Sequence, residues 1–181
     1  MSTITKKWDE KKIRDIICAL DKKTGLYGAT YPIRLTEYQS DVLSCLGCFM
    51  AVGKNKGFMF AIDYFNDPFT KEAEVIDIIR HEYAHYYTDT VQLYRYINYS
   101  HSERSHGDAW KWACIMVGAE PKRYHDVESF KDKNWSIDEA KAAYRADDVP
   151  EFDIRRAIRS PWALTTNAKT LSWILLNVKM G

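Results

Sequence analysis

The chain has 181 residues, of which 46% are hydrophobic, 28% charged and 14% aromatic; this excludes a disordered or collagen-like polymer and suits one packed domain with or without an appendage. Its 26 basic and 25 acidic residues leave a formal net charge of +1, so the overall balance points neither to nucleic acid nor to an anionic membrane, and such binding would need a local patch. No apolar run follows Lys6 and Lys7, no stretch is apolar and long enough to span a bilayer, and Cys18, Cys45, Cys48 and Cys114 are too sparse for a disulfide framework. A cytoplasmic protein with reduced thiols and no membrane partner is expected.

Ile13, Ile16, Ile17 and Leu20 recur at helical spacing among Asp9, Glu10, Lys11, Lys12 and Arg14, which predicts an amphipathic helix over 7–20. Gly25 and Gly28 mark a turn, and 30–36 reads as a strand in which Pro32 favours an edge or the strand's beginning. Residues 42–52 and 58–64 are aromatic and β-branched runs separated by Gly53-Lys54-Asn55-Lys56-Gly57, the chemistry of a hairpin loop. Three antiparallel strands are expected.

Asn66-Asp67-Pro68 ends the last strand, and Thr70 is the expected cap of a helix whose first turn carries Glu72 and Glu74. That helix contains His81-Glu82-Tyr83-Ala84-His85. In helical geometry His81 and His85 stand one turn apart on one face, so both imidazoles reach one metal ion, with Glu82 beside them to handle a proton. Ala73, Ile76, Ile79, Tyr83 and Tyr87 form the apolar stripe, and His81, Glu82, His85 and Asp89 occupy an adjacent polar sector expected to face an open cleft. Two surface histidines on an amphipathic helix are the competing reading, against which Glu82 between them weighs.

A catalytic zinc usually takes three protein ligands and keeps a fourth position for water. Ala109, Trp110, Ala113, Met116 and Val117 fit a short helix ending at Gly118, with His106 at its entrance. His106 is favoured as third ligand over His101 because Gly107 permits close backbone approach; His125, after Pro121, reads as a capping or packing residue. Cys45-Leu46-Gly47-Cys48 has metal or redox spacing, but no second pair exists and residues three apart on a strand point to opposite faces, so packed strand thiols are expected. After Asp153 no acidic residue occurs, and Arg155, Arg156, Arg159, Lys169 and Lys179 accompany Trp162 and Trp173. Single-strand nucleic-acid binding is one reading of that mixture, and packing of a terminal helix through Ile174, Leu175, Leu176 and Val178 is the stronger one.

His81-Glu82-Tyr83-Ala84-His85, then His106-Gly107-Asp108-Ala109-Trp110-Lys111, then Gly118-Ala119-Glu120-Pro121-Lys122-Arg123-Tyr124-His125 together resemble a SprT-like zinc metalloprotease domain, the group that includes the Spartan DNA–protein crosslink proteases. Upstream, Cys45-Leu46-Gly47-Cys48 and Gly57-Phe58-Met59-Phe60-Ala61-Ile62-Asp63 resemble the strands that precede the family's metal helix, so the similarity spans about residues 8–125. The resemblance implies an α+β, zincin-like domain over 1–125, in which a small antiparallel sheet packs with the N-terminal helix and the metal helix. It further implies one zinc ion on His81, His85 and His106, Glu82 as the catalytic acidic residue, a polypeptide substrate and a link to DNA. Many relatives carry a C-terminal zinc ribbon of two Cys pairs, whereas here no Cys follows Cys114 and 126–181 reads as a mostly helical appendage.

The expected chemistry is peptide hydrolysis by a zinc-bound water, with Glu82 taking its proton and passing it to the departing amine. A strand over 58–64 is expected to align an extended substrate by backbone pairing; Tyr124, Tyr99 and Arg104 are candidates for stabilising the oxyanion. Two other classes fit the same residues: a zinc-stabilised binding or adaptor module without turnover, and a metallohydrolase acting on a small amide.

Overall fold

A computed structural model describes residues 7–38, 45–52, 55–93 and 105–122. The expectations for 123–181, for His101 and His125, and for Tyr99, Arg104 and Tyr124 lie outside the described residues. Helix α1 spans Glu10–Thr24, opened by Asp9, whose side chain accepts from the Lys12 N–H, and closed by Gly25 in the left-handed region. It buries Ile13, Ile17 and Leu20 as its spacing predicts and runs four residues beyond the predicted end, as Asp21 accepts from the backbone N–H of Gly28 at 2.7 Å and of Ala29 at 2.8 Å. Asp21 also accepts from the Tyr83 hydroxyl at 2.7 Å.

Strands β1 (Ile33–Thr36), β2 (Gly47–Val52) and β3 (Asn55–Ala61) form a sheet in the order β1-β3-β2. The β2–β3 hairpin is antiparallel, with Val52 opposite Asn55 and Gly47 opposite Phe60. The β1–β3 pairing is parallel, with Ile33 opposite Phe58, so the expectation of an all-antiparallel sheet does not hold. Side-chain alternation specifies which face of a strand is buried but not the direction of its neighbour, and the hairpin partner β2 occupies the far edge. Because β3 is central, Phe58, Met59, Phe60 and Ala61 are all buried, the unbroken run of a strand covered on both faces.

The residues that were expected to continue this strand turn into a short helix, α2 (Ile62–Phe65). Asn66 then fastens the chain end: its Oδ1 accepts from the Trp8 N–H at 2.7 Å and its Nδ2 donates to the Trp8 carbonyl at 3.1 Å. Helix α3 spans Glu72–Thr90 and starts from Lys71 without a side-chain cap, so Thr70 does not play the expected role, while Glu72 and Glu74 do occupy its first turn. Helix α4 spans Asp108–Val117 and ends at Gly118 with φ 75°, the conformation that selects glycine at a helix end.

Among the described residues helix α3 is central, packed by α1, β2 and α4. Its apolar face is therefore wider than one stripe: Val75, Ile78, Ile79, Tyr83, Tyr86 and Tyr87 are buried, while Ile76 and Ala73 are only partly so. The result is a mixed α+β fold around a small sheet, and no helix among the described residues is long and apolar enough to cross a membrane.

Candidate metal centre

Helix α3 places His81 and His85 one turn apart, as their spacing requires, and the turn before α4 brings His106 to them. The segment that follows α4 is fastened to α3, since Asp77 accepts the Glu120 N–H at 3.0 Å and Arg80 donates to the Gly118 carbonyl at 3.2 Å. Gly107 adopts φ −73° and ψ −172°, an extended backbone open to any residue, so the conformational freedom of glycine is not what brings His106 in.

His106 Nε2 lies 3.2 Å from His81 Nε2 and 3.2 Å from His85 Nε2. The three ligand atoms all fall within 4.8 Å of one another, and theirs is the metal-capable group found among the described residues. Nitrogens about 2.0–2.1 Å from a tetrahedral ion stand about 3.3–3.4 Å apart, so the spacing fits one such ion. The donor set fits as well. Burial and the neighbouring His106 push His85 down to about 3, which keeps its ring neutral with a lone pair to offer. His106 Nδ1 is hydrogen-bonded to Ser105 Oγ at 3.0 Å; in the tautomer whose Nδ1–H donates that bond, Nε2 offers a lone pair to the other two rings. A proton can bridge one such pair of nitrogens, whereas a cation satisfies all three.

Glu82 is next to this cluster, with Oε1 3.9 Å from His81 Nε2. Its Oε2 accepts the backbone N–H of Phe49 at 2.7 Å. Burial raises the carboxyl to about 8, a shift that the Phe49 N–H opposes. The expected open polar sector of α3 is covered where the motif lies, His81 and Glu82 being each 6% exposed and His85 half-buried, while Asp89 is exposed as expected. Strand β2 lies over Glu82, and Trp110 of α4 lies against the three histidine rings.

The pairing of β2 explains how it reaches Glu82. Ala61 donates to the Leu46 carbonyl at 3.1 Å, which makes Gly47 and Phe49 the residues whose backbone groups point away from β3. The Phe49 N–H on this outer edge is therefore free to hold a carboxylate. Gly47 is required by the same approach, because a Cβ there would stand 2.8 Å from Glu82 Cγ and 3.1 Å from Ile78 Cγ2. Gly47→Ala is expected to lift β2 from α3 and to cost about 1–3 kcal/mol of stability in urea unfolding.

No family model, curated protein or solved structure matches the chain. Of the sequence candidates, His81, Glu82, His85 and His106 come together. Cys45 and Cys48 are not part of the metal-capable group: Cys45 is exposed in the bend before β2 and Cys48 half-buried on the strand. Packing thus accounts for Cys48 in part and for Cys45 not at all, since the strand begins only at Gly47. Gly47, Phe49 and Trp110 are site residues that motif reading misses; the one signal for Trp110 is its place one helical turn after His106.

Proposed function

We propose that this chain is a zinc-dependent metallopeptidase of the SprT-like, zincin-like kind, working in the cytoplasm on polypeptide substrates. The observation that carries the reading is the convergence of three imidazole Nε2 atoms beside a buried carboxylate, with Glu82 Oε1 3.9 Å from His81 Nε2. An all-imidazole ligand set favours zinc over calcium or magnesium, which take oxygen ligands. His81, His85 and His106 would hold the ion, whose Lewis acidity would lower the pKa of a water molecule toward about 7 and polarise a carbonyl. Glu82 accepts the proton of the attacking water at its carboxylate and returns it to the departing amine, so that one group serves both halves of hydrolysis. Four free thiols fit a reducing compartment.

Substrate alignment belongs to a different strand from the one expected. The run 58–64 begins in the central strand and offers no edge, whereas β2 is an edge strand whose outward backbone groups flank Glu82. The Phe49 N–H is held by Glu82 and the Gly47 carbonyl by the Cys45 thiol, so an extended peptide would pair along the edge beyond them, at Ala51, and be read by its backbone more than by its sequence. The test is cleavage of an unfolded protein and of a DNA-binding protein by zinc-loaded protein, each with and without single-stranded DNA and with a chelator control. Chelator-sensitive cleavage is the expected result, and its stimulation by DNA would place the enzyme in crosslink repair. Stoichiometric zinc without cleavage under any condition would leave a zinc-stabilised binding module instead.

A further inference from the structure

Trp110 is 1% exposed, yet what surrounds it is not ordinary core. Its ring centroid lies 4.6 Å from that of His81 at an interplanar angle of 59°, 5.4 Å from His85 at 25°, and 4.7 Å from His106 at 77°. One indole therefore touches all three imidazoles, tilted against one, stacked on the second and edge-to-face with the third. It is also tied to α3 by its Nε1–H, which donates to the His81 carbonyl at 3.4 Å.

The chain order makes this arrangement possible. His106 precedes α4 and Trp110 lies in its first turn, so the residue that follows the third histidine by one turn reaches back across the pair on α3. A histidine side chain has two rotatable bonds, and an imidazole whose flank is open rotates away from its neighbours when they repel it. The His106 Nε2, 3.2 Å from that of His81 and 3.2 Å from that of His85, is crowded in this way wherever no proton lies between a pair. An aromatic wall in contact with each ring limits that rotation.

We infer that Trp110 is a positioning residue: its indole holds the three imidazoles in the arrangement in which they would ligate a metal ion. This rests on the metal reading of His81, His85 and His106 and is independent of whether the protein cleaves peptides. The flat face matters more than the volume, because only a plane can stack on one imidazole while meeting another edge-on.

The experiment compares wild type, Trp110→Phe and Trp110→Met, each shown to be folded without metal by circular dichroism, in titrations with Zn²⁺ and Co²⁺. The visible absorption of bound Co²⁺ reports coordination number, being intense for four ligands and weak for five or six. Trp110→Met is expected to bind Zn²⁺ about 10–100-fold more weakly, the scale of losing a support of a metal ligand, and to give the weaker Co²⁺ spectrum. Trp110→Phe is expected to retain the four-coordinate spectrum and most of the affinity. Equal affinity and identical spectra in all three proteins would overturn the inference. So would a Phe variant that loses the spectrum, which decides the matter if the Met variant does not fold. Wild type that binds neither ion would remove the metal reading and this inference with it, whereas wild type that binds the ions and cleaves nothing would remove the peptidase reading alone.

Discussion

Replacing Glu82 by Gln is expected to leave zinc bound at one ion per chain and to lower kcat/KM for peptide hydrolysis by roughly 10²–10⁴-fold, the usual worth of a positioned acid–base group. The substitution keeps the size of the side chain and an oxygen able to accept the Phe49 N–H, but removes the proton acceptor. The same change is expected to act on stability in the opposite direction. Burial raises Glu82 from 4.5 to about 8 in the folded, metal-free chain. Between these values the folded protein holds a proton that the unfolded chain has released. This contribution is therefore present in full below about pH 4.5, is lost as pH rises, and is gone above about pH 8. Glu82→Gln removes that slope, so the metal-free variant is expected to be more stable than wild type at pH 9, on the order of a few kcal/mol. Denaturant unfolding of the two metal-free proteins at pH 5 and pH 9 measures it. A variant that hydrolyses peptides as fast as wild type would end the acid–base role of Glu82.

The second large effect is expected at His106. Its Nε2 is in contact with the Nε2 of both other histidines, so His106→Ala leaves a two-imidazole site from which the ion readily escapes. Zinc affinity is expected to fall by more than the roughly 10–100-fold that supporting residues command. Competition with a chromophoric chelator gives the affinity, and thermal melts give an independent check. Wild type at zinc concentrations about 100 times Kd is expected to gain about 2.7 kcal/mol, while His106→Ala at the same concentration shows little of that shift. If the variant keeps wild-type affinity, the third ligand is a different residue, and His101→Ala becomes the next variant to titrate.

Several elements are legible in the sequence. Ile13, Ile17 and Leu20 mark the buried face of α1, Gly118 closes α4, and His81 and His85 share a helix face because a turn of 3.6 residues leaves them no other arrangement. His106 at the entrance to α4 follows from the apolar spacing of Ala109, Trp110 and Ala113. Where the reading fails, it does so for shared reasons. Helix α3 was expected to show one apolar stripe and an open polar face, but α1, β2 and α4 surround it, and a residue such as Ile78 is buried by a neighbour distant in sequence. Strand 58–64 is expected to align a substrate by backbone pairing, yet the hairpin places β2 outside it and β1 pairs with its other side in parallel.

What the amino-acid order determined alone is therefore local: the helices, their capping glycine, and the spacing that puts two imidazoles and a carboxylate on one turn. Periodicity specifies a side chain's direction relative to its own element, and that is enough for a motif contained in one helix. The tertiary structure decided the rest. It brought His106 to within 3.2 Å of both partners, set the Phe49 N–H against Glu82, and laid Trp110 across the three rings. Those contacts join segments separated by 21 to 33 residues, and their geometry follows from which faces pack together, a property of the whole chain that no local spacing contains.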